Sequence, residues 1–463
     1  MKSAIQALSF LALTVWGCSS SPNSSTTGDS TSSSSSGGAG GEAGTGGTGM
    51  SSSSSSGMGG GGGMMPIEIP ANPFASHPLA YPQGSILPSN GSQAELDKAT
   101  SDFYDTWKSK YLIAGCGMDR YYIETKTESG NLTVSEGHGY GMMLTAIMAG
   151  YDPDAQKEFD GLYWYFRDHP SGISPDLMSW YQDTSCANAQ GEDSASDGDI
   201  DIAFSLLLAD KQWGSCGAID YKAEALKVIQ AISTHELDMN KKYVLLGDWA
   251  NPSSPNFYNS TRSSDFVIDH FRSYGAASGD AFWTSLVDST HSLITTMQSQ
   301  HSPAAGLLPD FIRSPLNSPM PAGANFLEGP NDGAYDYNAC RDPWRLGTDY
   351  LVSGDVRAKQ ELTKLTNWIK GKTTGDPTKI RAGYQLDGTA SNGSNYMTMA
   401  FVAPFGPAAM IDSAHQAWLD AIWQTTAGAA SEGYYEDSIK LFSMIVMSKN
   451  WWAPEARPAV CNK

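Results

Sequence analysis

Between about residue 90 and residue 450, apolar positions recur every three to four residues in some eleven or twelve segments, the spacing of helices that bury one face. The clearest run over 94–112, 137–149, 155–168, 199–213, 221–235, 264–276, 280–299, 341–352, 355–371, 414–427 and 434–450. Start and stop signals support several of them. Ser135 stands ahead of Glu136, Ser264 and Asp265 open an apolar stripe, and Gly354 closes one helix before Asp355 opens the next. No series of short β-branched runs appears at strand spacing, so the pattern predicts an all-α domain. Its long loops are rich in Pro, Gly and Asn and carry Trp and Asp, which is where a helical frame places binding groups. Periodicity alone leaves barrel, solenoid and bundle open.

Ahead of the helical region the pattern changes twice. Residues 1–18 read as a leader: Lys2, the largely apolar stretch from Ala4 to Trp16, then Gly17 and Cys18. The ending resembles a bacterial lipoprotein cleavage box, with Cys18 as the lipidated residue. Trp16 stands where such boxes carry a small residue, so ordinary secretory cleavage is the competing expectation. Residues 19–66 hold serine runs at 32–36 and 51–56 and a glycine run at 59–63, too few apolar groups to fold, and read as a flexible tether. The predicted domain is then 67–463 on an exported, surface-held or secreted protein, acting as a monomer.

Charge and cysteine content narrow the chemistry. The net charge is −20, and only Lys2, Asp29 and Glu42 fall before residue 67, so the domain carries −19. Such a surface repels nucleic acid and anionic lipid, leaving a lipid anchor as the membrane contact. Six cysteines without a CxxC pair point to neither a disulfide scaffold nor a structural zinc. Cys186 and Cys216 flank the same segment and are a candidate disulfide, with free thiols the alternative. His138 and His270 have no ligand-like spacing around them and are expected to be hydrogen-bonded structural residues, so no metal or cofactor is called for.

Two segments concentrate carboxylates at helix starts: Ser135-Glu136-Gly137-His138-Gly139-Tyr140-Gly141, and Ser196-Asp197-Gly198-Asp199-Ile200-Asp201 ahead of a wholly apolar run. A helix N-terminus accounts for one carboxylate, but alternate spacing denies three of them a common face. In these two segments, and in Leu177 to Trp180, Gly247 to Trp249, Arg262 to Tyr274, Gly306 to Phe311 and Tyr337 to Arg345, the chain resembles glycoside hydrolase family 8 over residues 90–455. The resemblance implies an (α/α)6 barrel that cleaves β-1,4-linked polysaccharides internally with inversion. It makes Glu136 the general acid and Asp197 the residue holding the sugar in a distorted shape. Familiar members carry their base where this chain has Asn338; a subgroup takes it from a loop glutamate upstream, which here is Glu328, with Asp332 and Asp336 in reserve.

Asn338 and Arg341 are then candidates for positioning the water or the base, with a structural ion pair the other reading for Arg341. Trp180, Trp249, Tyr337 and Trp344 adjoin the motifs and are candidate sugar platforms, because aromatic faces stack on pyranose rings. Trp164, Trp451 and Trp452 are assigned to the core. The acidic domain favours chitosan as the polysaccharide substrate, with β-glucan the main alternative and xylan a third. Loss of the base at Asn338 leaves a glycan-binding protein without catalysis as the competing class.

Overall fold

The computed structural model describes residues 70–126 and 130–454; the leader and tether expectations, Cys18 included, lie outside the described residues. Every long apolar segment is a helix: α1 (Gln93–Tyr111), α2 (Ser135–Ile147), α3 (Ala155–Asp168), α4 (Ser196–Trp213) and α5 (Tyr221–His235). After the single turn α6 (Pro255–Tyr258) come α7 (Ile268–Ser278), α8 (Phe282–Gln300), α9 (Asp342–Ser353), α10 (Val356–Lys372), α13 (Gln416–Gly428) and α14 (Tyr434–Met447). A broken helix, α11 (Met399–Val402) and α12 (Phe405–Ala409), fills one more position; Pro404 stands at its break.

Six of these form a closed inner ring, in which α2 packs on α4, α4 on α7, α7 on α9, α9 on α12, α12 on α14 and α14 on α2. Outside it α1, α3, α5, α8, α10 and α13 each cover an inner neighbour. This is an (α/α)6 barrel. The two rings differ as their sequences require. α4 is buried on all sides except at Lys211, whereas α3 buries Phe159, Leu162 and Phe166 and turns Lys157 and Trp164 outward. At about 1.5–3 kcal/mol for each large apolar side chain removed from water, the inner helices anchor the frame.

The start of α2 and the start of α4 are pressed together by two glycines. A Cβ at Gly139 would lie 2.8 Å from the Asp201 Cβ, and one at Gly198 would lie 2.4 Å from the Ser135 Oγ. Alanine fits at neither position. The N-cap of α2 is Val134, and Ser135 lies inside the helix without capping it, contrary to the sequence expectation. Gly354 does close α9, at φ 70°, and Asp355 caps α10 by accepting from the Arg357 N–H.

Among the described residues, seven strands of two to four residues, too short to show periodicity, pair antiparallel in the loops. The β3 (Asn131–Val134) strand runs directly into α2 and pairs with β4 (Tyr181–Asp183), which follows Trp180. A three-stranded sheet, β5 (Ser260–Arg262), β6 (Phe311–Arg313) and β7 (Met320–Pro321), ends its first strand at Arg262. A hairpin, β1 (Leu112–Ala114) and β2 (Tyr121–Ile123), is joined to the loop after β4 by a disulfide between Cys116 and Cys186.

That bond corrects the pairing of Cys186 with Cys216; Cys216 is bonded as well, and Cys340 is a buried free thiol. Trp451 and Trp452 are core residues, but Trp164 is not: it is 37% exposed on α3 with the Arg120 guanidinium 5.8 Å from its ring. Both histidines are structural. His138 hydrogen-bonds the Leu162 carbonyl at 2.7 Å, and burial pushes its imidazole down to about 3; His270 lies between Asp201 and Asp269.

Candidate active site

Glu136 and Asp197 both sit in the first turn of an inner helix, where free N–H groups and the helix dipole favour a carboxylate. The glycine contact between α2 and α4 brings them to one cation, Arg341, from the 3-10 turn Ala339–Arg341 that leads into α9. Its Nη1 donates to Glu136 Oε2 at 2.6 Å and to Asp197 Oδ2 at 3.3 Å. Arg262, at the end of β5, places its own Nη1 3.3 Å from the same Asp197 oxygen, and Tyr434 donates to Glu136 Oε1 at 3.1 Å.

The opposite nitrogen of Arg341 leads to the inserted loop. Its Nη2 donates to Asn338 Oδ1 at 2.9 Å, and the Asn338 Nδ2 donates to Glu328 Oε2 at 2.7 Å. Arginine has no acceptor, so the Asn338 amide is locked with its NH2 towards the carboxylate. Glu328 is held in place by its neighbours. Asp332 accepts three backbone N–H groups of the loop, from Leu327, Glu328 and Gly329 at 2.7, 3.1 and 2.8 Å, and Phe326 packs between Phe257 and Phe311.

The carboxylates differ in charge state. Burial pushes Glu136 up, Asp197 adds to the rise, and Arg341 opposes it without cancelling it. Burial acts on Asp197 as well, but Arg262 and Arg341 outweigh it and hold that carboxyl below its ordinary range. Glu328 is raised by burial against the opposing pull of Arg262 and the Asn338 hydrogen bond. Solvent reaches 17% of the Glu136 side chain but only 4% of Asp197 and 2% of Arg341, which lie beneath it.

The structure thus joins Glu136, Asp197, Glu328, Asn338 and Arg341 in one network. Arg341 pairs with two acids and donates to the Asn338 side chain. Of the reserves, Asp332 ties the loop through its carboxylate, while the Asp336 carboxyl is raised by burial to about 6 and its backbone N–H donates to Asp310. Among the aromatic candidates, Trp180, Trp249 and Tyr337 are half-buried, as a stacking platform must be, and the Trp180 backbone C=O accepts from Ser135 beside the acid. Trp344 is a correction. It has no exposed surface, because the pitch of α9 turns it into the barrel against Phe442, with ring centroids 4.9 Å apart.

Sequence reasoning missed four partners. Arg262 and Asp310 stood inside resembling segments, and Arg262 was legible as the one cation at the head of its segment. Ser264, which accepts from Arg341 Nη2 at 3.0 Å, was read only as a helix start. Tyr434 carries no signal, since it is brought to Glu136 from 298 residues away by closure of the ring.

A helical barrel presenting a solvent-reachable acid, an ionised carboxylate beneath it and a third carboxylate aligned through an amide has the frame of a glycoside hydrolase. Residues 91–449 match the family described as Glycosyl hydrolases family 8, and the chain belongs to that family. It is 50% identical over 385 residues to a β-glucanase of Niallia circulans, covering 83% of this chain and 92% of that one. An endoglucanase of Bacillus sp. (strain KSM-330) is 39% identical over 80% of each. The apo structure of a β-1,3-1,4-glucanase from Paenibacillus sp.X4 superposes with a TM-score of 0.80 at 48% identity, covering 83% of this chain and all of that one.

Proposed function

We propose that this glycoside hydrolase is an inverting endo-β-glucanase that cuts β-1,4-containing glucans, mixed-linkage β-glucan first among them. Glu136 donates its proton to the glycosidic oxygen as the bond to the anomeric carbon breaks. Glu328 takes a proton from the water that attacks the opposite face, and Asn338 fixes both the carboxylate and the water. Inverting hydrolases keep the two groups about 6.5–9.5 Å apart to admit that water. Asp197, ionised between two arginines, supplies negative charge where the ring develops positive charge.

The observation that carries this reading is the hydrogen-bonded chain from Glu136 through Arg341 and Asn338 to Glu328. It sets a carboxylate beside the amide at position 338, which supports Glu328 as the base and a hydrolase over a binding-only protein. Chitosan finds no support. The relatives above are glucanases.

Reducing-sugar release from barley β-glucan, carboxymethyl cellulose and chitosan by the wild type and Glu328→Gln tests the reading. The wild type is expected to act on β-glucan, and the variant to lose about 10²-fold or more, the scale of a general base. An unchanged Glu328→Gln moves the base elsewhere. A wild type that retains polysaccharide without cutting it restores the binding class, and faster release from chitosan restores the cationic substrate.

A further inference from the structure

The residues of the catalytic network recur one helical turn deeper. Glu136 is followed by Tyr140 on α2, Asp197 by Asp201 on α4, and Arg341 by Arg345 as the 3-10 turn passes into α9. Each pair is four residues apart and so lies on one face of its helix. The upper set is reached by solvent at Glu136; the lower set is closed, with Tyr140 and Asp201 at 0% and Arg345 at 3% exposure.

The geometry points to Tyr140, Asp201 and Arg345 as a positioning layer that sets where Arg341, and through it the acid and base, are held. This role rests on the reaction proposed above. Arg345 grips Asp201 with both nitrogens, Nη1 to Oδ1 at 3.1 Å and Nη2 to Oδ2 at 2.7 Å, a bidentate contact that fixes direction as well as distance. The guanidinium is backed by the Trp344 ring at 4.1 Å, so the tryptophan that is no sugar platform instead supports this layer. His270 approaches Asp201 at 3.1 Å and is itself held by Asp269 and by the Phe204 ring stacked on it.

Arg341, by contrast, spreads its hydrogen bonds over five residues. Its Nη1 serves Glu136 at 2.6 Å, Asp197 at 3.3 Å and the Tyr140 hydroxyl at 3.3 Å, its Nη2 serves Asn338 at 2.9 Å and Ser264 at 3.0 Å, and neither carboxylate receives a two-pronged contact. One rigid turn of backbone carries the register of Arg345 to Arg341, and the Tyr140 hydroxyl ties the two layers directly. Stability alone does not explain the lower layer. Buried ion pairs commonly contribute nothing, or less than apolar packing of the same volume, because desolvation cancels their attraction. Four ionisable groups, Asp201, Arg345, His270 and Asp269, closed beneath the site are accounted for by the placement they enforce.

The test is kcat, KM, melting temperature and pH profile on mixed-linkage β-glucan for Arg345→Lys, Asp201→Asn and Tyr140→Phe. Arg345→Lys keeps the cation but loses the bidentate grip, and is expected to lower kcat by about 10²-fold, the scale of a displacement near 1 Å, with KM within about twofold. Its alkaline limb is expected to move up. Of the groups facing Glu136, which are Arg341, Arg262, Asp197, Tyr434, Tyr140 and Tyr435, the one displaced is Arg341, whose pull on that carboxyl is downward. Asp201→Asn is expected to act in the same direction, and Tyr140→Phe, which removes one oxygen, to cost about three- to tenfold in kcat without changing the melting temperature.

A merely structural bridge would lower the melting temperature and leave kcat per folded molecule and the alkaline limb unmoved; that result overturns the proposal. Where Asp201→Asn does not fold, the other two variants decide. A wild type inert on every glucan removes the proposed function itself, a result distinct from an active wild type with indifferent variants.

Discussion

The first two turns of α4 carry three buried aspartates in two environments. Asp197 and Asp201 face arginines; Asp199 turns the other way, towards Glu236 and Asp248. In that second cluster Asp199 accepts from the Met178 N–H at 2.8 Å, Ser194 donates to Glu236 at 2.6 Å, and Asp248 accepts from the Ser194 N–H and the Ser171 hydroxyl. No ion pair reaches any of the three among the described residues. Burial therefore pushes Asp199 far above the carboxylate range and Glu236 up to about 8, while Asp197, equally buried, is held below its ordinary value by Arg262 and Arg341. Depth is the same in both clusters. The presence of a guanidinium decides whether a carboxylate there serves as a charge or as a hydrogen-bonded acid.

The contrast is broken most severely by making both sites amides. Asp197→Asn is expected to cut kcat by about 10²-fold or more, because it removes the charge proposed to act on the reacting sugar. Asp199→Asn, replacing a carboxyl that already holds its proton, is expected to leave kcat within about twofold; steady-state rates on β-glucan check both. A smaller effect follows from giving the catalytic cluster the character of the other one. Asn338→Asp sets a new carboxylate 2.7 Å from Glu328, where like charges drive one of them to keep a proton. The acid limb of the pH profile should then move up, with about a tenfold loss at pH 6.

The mildest test concerns Glu236. An unfolded glutamate titrates near 4.5 and the folded one near 8, so between those values the folded chain holds a proton that the unfolded chain has released. Stability from this group is complete below about pH 4.5 and is lost as the pH rises to about 8. Glu236→Gln should remove that part of the decline and raise the melting temperature at pH 8 by about 2–4 °C, read by calorimetry across the window.

Much of this was legible beforehand, for reasons that differ between regions. The apolar stripes of 155–168 and 221–235 match α3 and α5 end for end because outer helices have one wet face. Met399–Ala409 escaped because a proline-broken helix buried on all sides has no stripe. The roles proposed for Glu136, Asp197 and Glu328 come from resembling motifs rather than from periodicity, which leaves Glu136 looking like an ordinary helix start. Alternate spacing did show that Asp197, Asp199 and Asp201 do not share a face, and the structure gives the faces their partners. Trp344 misled because adjacence to a motif along the chain was taken for adjacence in space, and helical pitch separates the two. Tyr434 and the Cys116–Cys186 bond depend on closure of the ring and on loop packing, which leave no local trace.

The hydrogen bonds from Arg341 through Asn338 to Glu328 run in one direction only, since the guanidinium gives and never receives. An aspartate at 338 would have no hydrogen to give Glu328. Under the proposed mechanism the loop carboxylate and the amide are therefore one device, and replacing either alone leaves the other without its partner.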